Sequence, residues 1–298
     1  MTEFLAEAGK QLAGRWAALL ALPAVLFVAA VTVAATLGQA HSLDVALAAR
    51  SAARLAARYE GRAVPAAVAA VGLAIAVGAA SVIAQGIAAM LQRGWLAAGT
   101  SRATRRIIGW RTDARRARWL AADTAYTEAA RAGKRDQARL GALADARNRI
   151  ALAEPARPTW IGDRLAAAGT RVWGEYGLDM QFGWPRLWLV LPEPARQELR
   201  GSRDAFTAAT VLQAWGVMYT VAGGWWWPAA VAGIITAVLG WRRGRASAAA
   251  LADLVEAAFD LYSRDLAAGL NGAVPAEGAG GISRTSGELL SERLRKGC

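Results

Sequence analysis

Between Ala205 and Trp241 the chain runs for thirty-seven residues without a charged side chain, split at Gly223-Gly224 and closed by Arg242, Arg243 and Arg245. In hydrocarbon an unpaired backbone amide finds no water, so such a run has to satisfy its own N–H and C=O groups as helix. The stretch therefore reads as two membrane-crossing helices joined by a tight turn. The rest of the chain has to be compatible with that hairpin.

A second hairpin fits ahead of it. Trp16–Leu37 and Ala63–Leu91 are apolar runs of spanning length, joined by an outer loop over residues 38–62. The chain is 55% hydrophobic, and of its thirteen tryptophans Trp16, Trp95, Trp225, Trp226, Trp227 and Trp241 fall near span boundaries, where indole is best accommodated. The first run, about 22 residues long and soon followed by another, is too long for the core of a cleaved signal peptide. Pro23 within it is tolerated as a kink. Residues 1–15, with Phe4, Leu5, Ala8 and Leu12 against Glu3 and Glu7, read as an interfacial helix.

Net charge is +12, and residues 93–204 hold twenty-one basic against twelve acidic side chains, which is +9 of it. A nucleic-acid partner would explain that balance, but no recognition motif accompanies it. Threading explains it better: eight arginines against one acid between Arg93 and Arg118 mark a cytoplasmic segment. Arg102, Arg105, Arg106, Arg111, Arg115, Arg116 and Arg118 are thus candidates for contact with anionic lipid headgroups. Arg196, Arg200 and Arg203 before the third span and Arg242, Arg243 and Arg245 after the fourth agree, with both termini cytoplasmic. Arg50, Arg54, Arg58 and Arg62, one helical turn apart in the outer loop, do not. They lie outside the apolar runs, so they read as a solvated or headgroup-facing row in preference to a voltage sensor. An anion-attracting vestibule is the weaker alternative.

The spans offer little chemistry. Ala63–Leu91 is rich in small residues, suited to close helix packing, and Gln85 there and Gln213 in the third span are candidate pore-lining or interhelical polar groups. One cysteine, Cys298, and one histidine, His41, exclude a disulfide, a Cys/His zinc site and a cysteine–histidine pair within one chain. No phosphate loop or dinucleotide fingerprint appears, so neither cofactor nor metal is expected. Glu175 and Asp179 stand at i,i+4 as paired carboxylates would, but pairing with Arg164, Arg171 or Arg186 is the better reading.

Residues 93–204 read as a cytoplasmic helical domain beginning with a hairpin of Arg111–Gly133 and Lys134–Ala153. Beyond Pro155 and Pro158, Thr159 suits the cap of a helix from Ile161 to Tyr176, with Asp163 in its first turn and Gly177 beyond its end. Leu187–Leu191, between Pro185 and Pro192, is too short to span and reads as an apolar lip tucked into the membrane interface or against a neighbouring helix. Pro194 opens a helix running through the third span to Ala222. Residues 242–271 form an amphipathic acidic helix, with Asp253, Glu256, Asp260 and Asp265, expected to dock on the basic run Arg102–Arg118. The tail 272–298 reads as largely disordered, with a short helix over Glu288–Lys296.

Pro158-Thr159-Trp160-Ile161-Gly162-Asp163, Tyr176-Gly177-Leu178-Asp179 and Trp184-Pro185-Arg186-Leu187 together resemble a block of an uncharacterised family of bacterial multi-pass membrane proteins. There a Pro-Thr-x-x-Gly-Asn/Asp segment precedes Tyr-Gly-Leu-Asp and Trp-Pro-Arg-Leu just before a membrane hairpin. The likeness covers about the last 140 residues, and Trp160-Ile161 and Asp163 depart from that family's usual Arg-Leu-Gly-Asn form. It implies placement and no activity, and it singles out Thr159, Asp163, Tyr176, Asp179, Trp184 and Arg186 as a structural block.

The expectation is an all-α membrane protein with four transmembrane helices in two hairpins around a cytoplasmic helical domain, resident in the cytoplasmic (inner) membrane. The layout is similar to that of bestrophin-type anion channels, a likeness of topology without shared motif. Self-association is expected, with an ion-conducting pore and a non-conducting scaffold for a soluble cytoplasmic partner as competing activities. Enzymatic activity is not expected.

Overall fold

A computed structural model describes residues 21–97, 102–132, 136–270 and 282–295, without the side chains of residues 102–105 and 107. Among the described residues every regular element is helical: α1 (Leu22–Leu37), α2 (Val45–Tyr59), α3 (Ala63–Leu96), α4 (Arg102–Arg131), α5 (Gln137–Ile150), α6 (Trp160–Tyr176), α7 (Met180–Val190), α8 (Glu193–Ala222), α9 (Trp227–Gly269) and α10 (Arg284–Leu294). The interfacial helix expected over residues 1–15 and the start of the first span lie outside the described residues. The chain divides into two compact units, Met1–Gln92 with Thr207–Gly244 and Arg93–Phe206 with Arg245–Cys298.

In the first unit α8 and α9 meet through their backbones. A Cβ on Gly216 would lie 2.4 Å from the Ala237 amide nitrogen, one on Gly233 2.3 Å from that of Thr220, and one on Gly240 2.7 Å from that of Gln213. Gly223 abuts Ala230 in the same way. The facing pairs Gln213/Gly240, Gly216/Ala237, Thr220/Gly233 and Gly223/Ala230 advance by three, four and three residues, which is an antiparallel heptad seam of small side chains. Ala24 of α1, Ala80, Ala84 and Ala88 of α3, and Val211, Ala214, Trp215 and Met218 of α8 form the buried cluster beside it. Phe27 closes that cluster edge-on against Tyr219, 5.3 Å between ring centres.

The loop after α1 is tied to the turn between α8 and α9. Gln39 donates to the Gly223 and Gly224 carbonyls at 3.1 and 3.0 Å and accepts from the Trp227 amide. The Trp226 indole donates to the Ser42 carbonyl and the Trp227 indole to the Ser42 hydroxyl, at 2.8 and 2.6 Å. Ser42 is thereby satisfied although buried.

The second unit begins with the antiparallel pair α4 and α5, longer and shorter respectively than their sequence suggests. Arg147 of α5 pairs with Asp123 of α4 at 3.0 Å and lies over the Tyr126 ring, while Arg116 reaches Glu154 just past α5 at 2.6 Å. Its apolar core gathers Val172 of α6, Leu178, Leu187 of α7, Leu191, Phe259 and Leu266 of α9, and Leu290 of α10. Burying a Phe259-sized side chain contributes about 2–3 kcal/mol.

One expectation is narrowed here and two change. Of the two seats open to Leu187–Leu191 the structure shows protein: α7 forms with Pro185 inside it, and Leu187 and Leu191 are core residues of the second unit. Helix α9 does not end at the arginines 242–245 but runs unbroken for 43 residues, since no proline or unpaired turn interrupts it. The C-terminal helix starts at Arg284, four residues before the expected position, and buries Gly287, Leu290, Ser291 and Leu294.

The seam generates a direct test. Gly233→Val should cost about 2–3 kcal/mol by over-packing a backbone contact, read as a lowered midpoint of thermal unfolding in detergent micelles. Gly201→Ala, in α8 with open space above it, should be neutral or stabilising by about 0.5–1 kcal/mol.

Candidate functional site

The second unit concentrates its charge chemistry around the start and the inner face of α6. Thr159 has extended backbone, and its hydroxyl oxygen accepts from the Gly162 amide at 3.0 Å, capping the helix as its sequence predicts. The same hydroxyl donates to the Trp95 carbonyl at 2.6 Å. Gly162 has to be glycine for that approach, because a Cβ there would stand 2.6 Å from the Trp95 carbonyl oxygen.

Asp163 is the hub of the turn that precedes α6. One carboxylate oxygen accepts from the Ala156 and Arg157 amides at 2.9 and 2.7 Å, and the other pairs with Arg115 of α4. Arg115 also donates to the Arg157 carbonyl at 2.6 Å and to the Ile150 carbonyl at 2.5 Å. One guanidinium thus holds α4, the end of α5 and the α6 entry together. The acid in the first turn also complements the helix dipole.

Along α6 the next polar face is a ladder against α9. Arg164, 8% exposed, pairs with both Asp253 and Glu256; Arg171 pairs with Glu256 at 2.9 Å and Asp260 at 3.2 Å; the Tyr176 hydroxyl donates to Asp260 at 2.6 Å. Contacts rise together in both helices, so α6 and α9 run in the same direction there. Burial alone would lower the Arg164 pKa, but hydrogen bonds to Glu256 and Asp253 outweigh it and the net shift is upward. Arg171 is raised by its hydrogen bond to Glu256 foremost. Burial, with the Asp260 carboxylate beside it, pushes the Tyr176 phenol up to about 12.

Beside this ladder opens a cavity of about 430 Å³, walled by Leu152, Glu154, Trp160, Asp163, Arg164 and Arg171 among others. Trp160 lies under Arg245, whose guanidinium is 4.5 Å from the ring centre and whose pKa is lowered by burial and by Arg115 nearby. The two arginines of the wall are already matched by carboxylates. Chemically the arrangement is a largely charge-compensated joint. Among the described residues no group of three or more His, Cys, Asp or Glu side chains could hold a metal ion.

The sequence-predicted residues divide into those the fold brings together and those it does not. Thr159, Asp163, Tyr176 and Asp179 all act at helix ends or in the ladder. Asp179 accepts from the Gln181 amide at 3.0 Å to cap α7 and pairs with Arg295 at 3.0 Å. Ser291 bridges the joint by donating to the Gly177 carbonyl and accepting from the Asp179 amide. Gly177 has φ +62°, the left-handed conformation its position calls for. Trp184 packs on Trp188 and Phe259, and Arg186 donates back to the Phe182 carbonyl within α7. Asp179 therefore does not pair with Arg164, Arg171 or Arg186, which have other partners.

The arginine run departs from its expected role at one place in particular. Arg106, Arg111 and Arg118 are exposed, Arg116 is exposed but paired with Glu154, and Arg102 and Arg105 have side chains outside the described residues. Arg115 is no headgroup contact: it is half-buried in the Asp163 hub. The acidic face of α9 docks on Arg164 and Arg171, not on the Arg102–Arg118 run, because two arginines of α6 stand in register with carboxylates at i, i+3 and i+7. In the first unit Gln85 is exposed, and the buried Gln213 side-chain oxygen has no hydrogen-bond partner among the described residues.

No protein-family model, curated protein or solved structure matches the chain.

Removing one partner of a buried ion pair leaves an uncompensated charge. Asp163→Asn should therefore lose about 3 kcal/mol in denaturant unfolding of the full chain. Asp179→Asn, whose partner Arg295 is 44% exposed, should lose under about 1 kcal/mol. The Tyr176 shift also fixes a sign. A phenol whose pKa rises on folding contributes stability below its unfolded pKa, about 10, and loses it as pH climbs toward 12. Ultraviolet titration should show Tyr176→Phe losing one phenol from the late-titrating fraction, and the variant should lose less stability than the parent between those pH values.

Proposed function

We propose that the chain is a multi-pass protein of the cytoplasmic membrane, in which segments 16–37, 63–91, 205–222 and 225–241 cross as two hairpins. On this reading both termini and the charged second unit lie in the cytoplasm. Two helices, Ala63–Leu96 and Glu193–Ala222, are long and apolar enough to cross a bilayer. The observation that carries the reading is α3. Only 11% of its most apolar window is buried by the rest of the chain, so its surface calls for an apolar solvent or another apolar helix.

Its activity, on the same reading, is that of a self-associating membrane scaffold that presents the second unit to a soluble partner. Supporting this, the α8–α9 hairpin closes backbone to backbone, with no room along its seam for a polar route among the described residues. A cavity of about 300 Å³ between α1 and α8 is walled by Phe27, Val31, Ala34, Met218, Val221 and Trp225. A second reading, an ion-conducting pore lined by α3 from several copies, is favoured by one feature. Gln85 and the neighbouring Gly78 and Gly86 face open space on α3, where a second helix could approach and pair the amide.

The two readings separate in one experiment. The purified chain should run as a single oligomer larger than a monomer in detergent, and liposomes containing it should pass neither chloride nor potassium above protein-free controls. Flux that falls on Gln85→Leu would establish the pore instead. Labelling, from outside intact cells, of a tag placed between Arg118 and Pro155 would overturn the orientation.

A further inference from the structure

Helix α2 is poorly covered by the described residues: none of its own residues is buried, and Val45 and Leu55 are 78% and 50% exposed. We propose that α2 is an interfacial helix that binds the surface of an anionic bilayer, with Arg50, Arg54 and Arg58 on lipid phosphates and the opposite edge at the acyl boundary. The proposal rests on the membrane reading above and deepens it by naming the lipid class and the residues that meet it.

The helix is two-faced. Arg50, Arg54 and Arg58 recur every fourth residue along one side. Val45, Ala48, Ala52, Leu55, Ala56 and Tyr59 occupy the other. No acid interrupts the helix itself, and Asp44 is occupied in capping it, accepting from the Leu47 amide at 2.8 Å. Among the described residues none of the three arginines pairs with a carboxylate. Arg50 and Arg54 instead turn their Nε atoms onto backbone carbonyls one turn back, of Ala46 and Arg50. In the second unit, by contrast, Arg115, Arg164 and Arg171 all have carboxylate partners. Their terminal guanidinium amino groups, without a carboxylate partner among the described residues, match phosphate oxygens.

Position argues for a bilayer over other occupants. The loop that enters α2 is clamped by Gln39 and Ser42 to the tryptophan turn, where Trp225 and Trp227 are 66% and 45% exposed. Indoles of this kind sit at the membrane–water boundary. Apolar helices leave from both ends of α2, α1 before it and α3 after it, so with both crossing, each end of α2 returns to the same boundary. A fifteen-residue helix held at both ends lies in that plane. The first unit of a second copy is a poor occupant for the arginine side, because residues 1–92 and 207–244 hold only Glu3, Glu7, Asp44 and Glu60 as acids.

The full chain in nanodiscs tests this, followed by hydrogen exchange of α2 and α3 together. In discs containing phosphatidylglycerol, amides of residues 45–59 should exchange about tenfold to a hundredfold more slowly than in phosphatidylcholine alone, at about fivefold per arginine near an anionic surface. Combined Arg50→Gln, Arg54→Gln and Arg58→Gln should erase the difference between the two lipids. Equal exchange in both lipids, or protection that follows the number of chains per disc instead of lipid charge, overturns the proposal. The lipid comparison on the unaltered chain stands even if the triple variant fails to fold. Protection of α3 without protection of α2 sinks this inference alone, whereas an unprotected α3 sinks the membrane reading beneath it.

Discussion

Contact between two helix backbones is the constraint on which the first unit depends. Along Gln213–Gly223 and Ala230–Gly240 there is no room for a side chain at four positions, so α8 and α9 meet at main-chain distance. Hydrophobic attraction is weak between helices in an apolar medium, where close van der Waals fit has to serve instead. The seam also dictates the turn: once Gly223 meets Ala230, the chain has to reverse between them, and the tryptophan triplet falls there. The loop after α1 then has fixed carbonyls and indoles to bond.

The second unit is held by a different physics. Its helices carry many arginines and alanines and few large apolar residues, so the apolar cluster around Phe259 is supplemented by charge pairing at buried or half-buried sites. Asp163 and Arg115 illustrate why this is economical in side chains. A single carboxylate satisfies two loop amides and one guanidinium, and that guanidinium satisfies one carbonyl at the end of α5 and one in the turn before α6. Such groups are costly if left alone, so the network stabilises one arrangement chiefly by penalising the others. Glu256 does the same between Arg164 and Arg171.

The distribution of exposed charge follows from this. Arg115 and Arg164 have a structural acid in register and are drawn into the fold, whereas other arginines have no carboxylate partner among the described residues and remain on the surface. Arg106, Arg111 and Arg118 are of the second kind, as are Arg50, Arg54 and Arg58 on α2. Composition alone cannot separate the two classes, since Arg115 and Arg116 sit in the same run as Arg111 and Arg118.

Local features were legible from the sequence. The Thr159 cap, the left-handed Gly177, the helix entered at Pro194 and continued to Ala222, and the apolar character of α3 each depend on residues within a turn or two of one another. Glycines seven apart at 216 and 223 and at 233 and 240 carried the seam's signal too, but reading it requires knowing that the two helices face each other. Asp253, Glu256 and Asp260 declared an acidic face without declaring its partner, and Leu187–Leu191 declared apolarity without declaring that protein, not lipid, would cover it. Pairing across 85 or more residues is decided by which helices pack and in what register, and that is a property of the whole fold. Sequence determined the helices, their caps and their greasy faces; tertiary structure alone decided which arginine meets which acid.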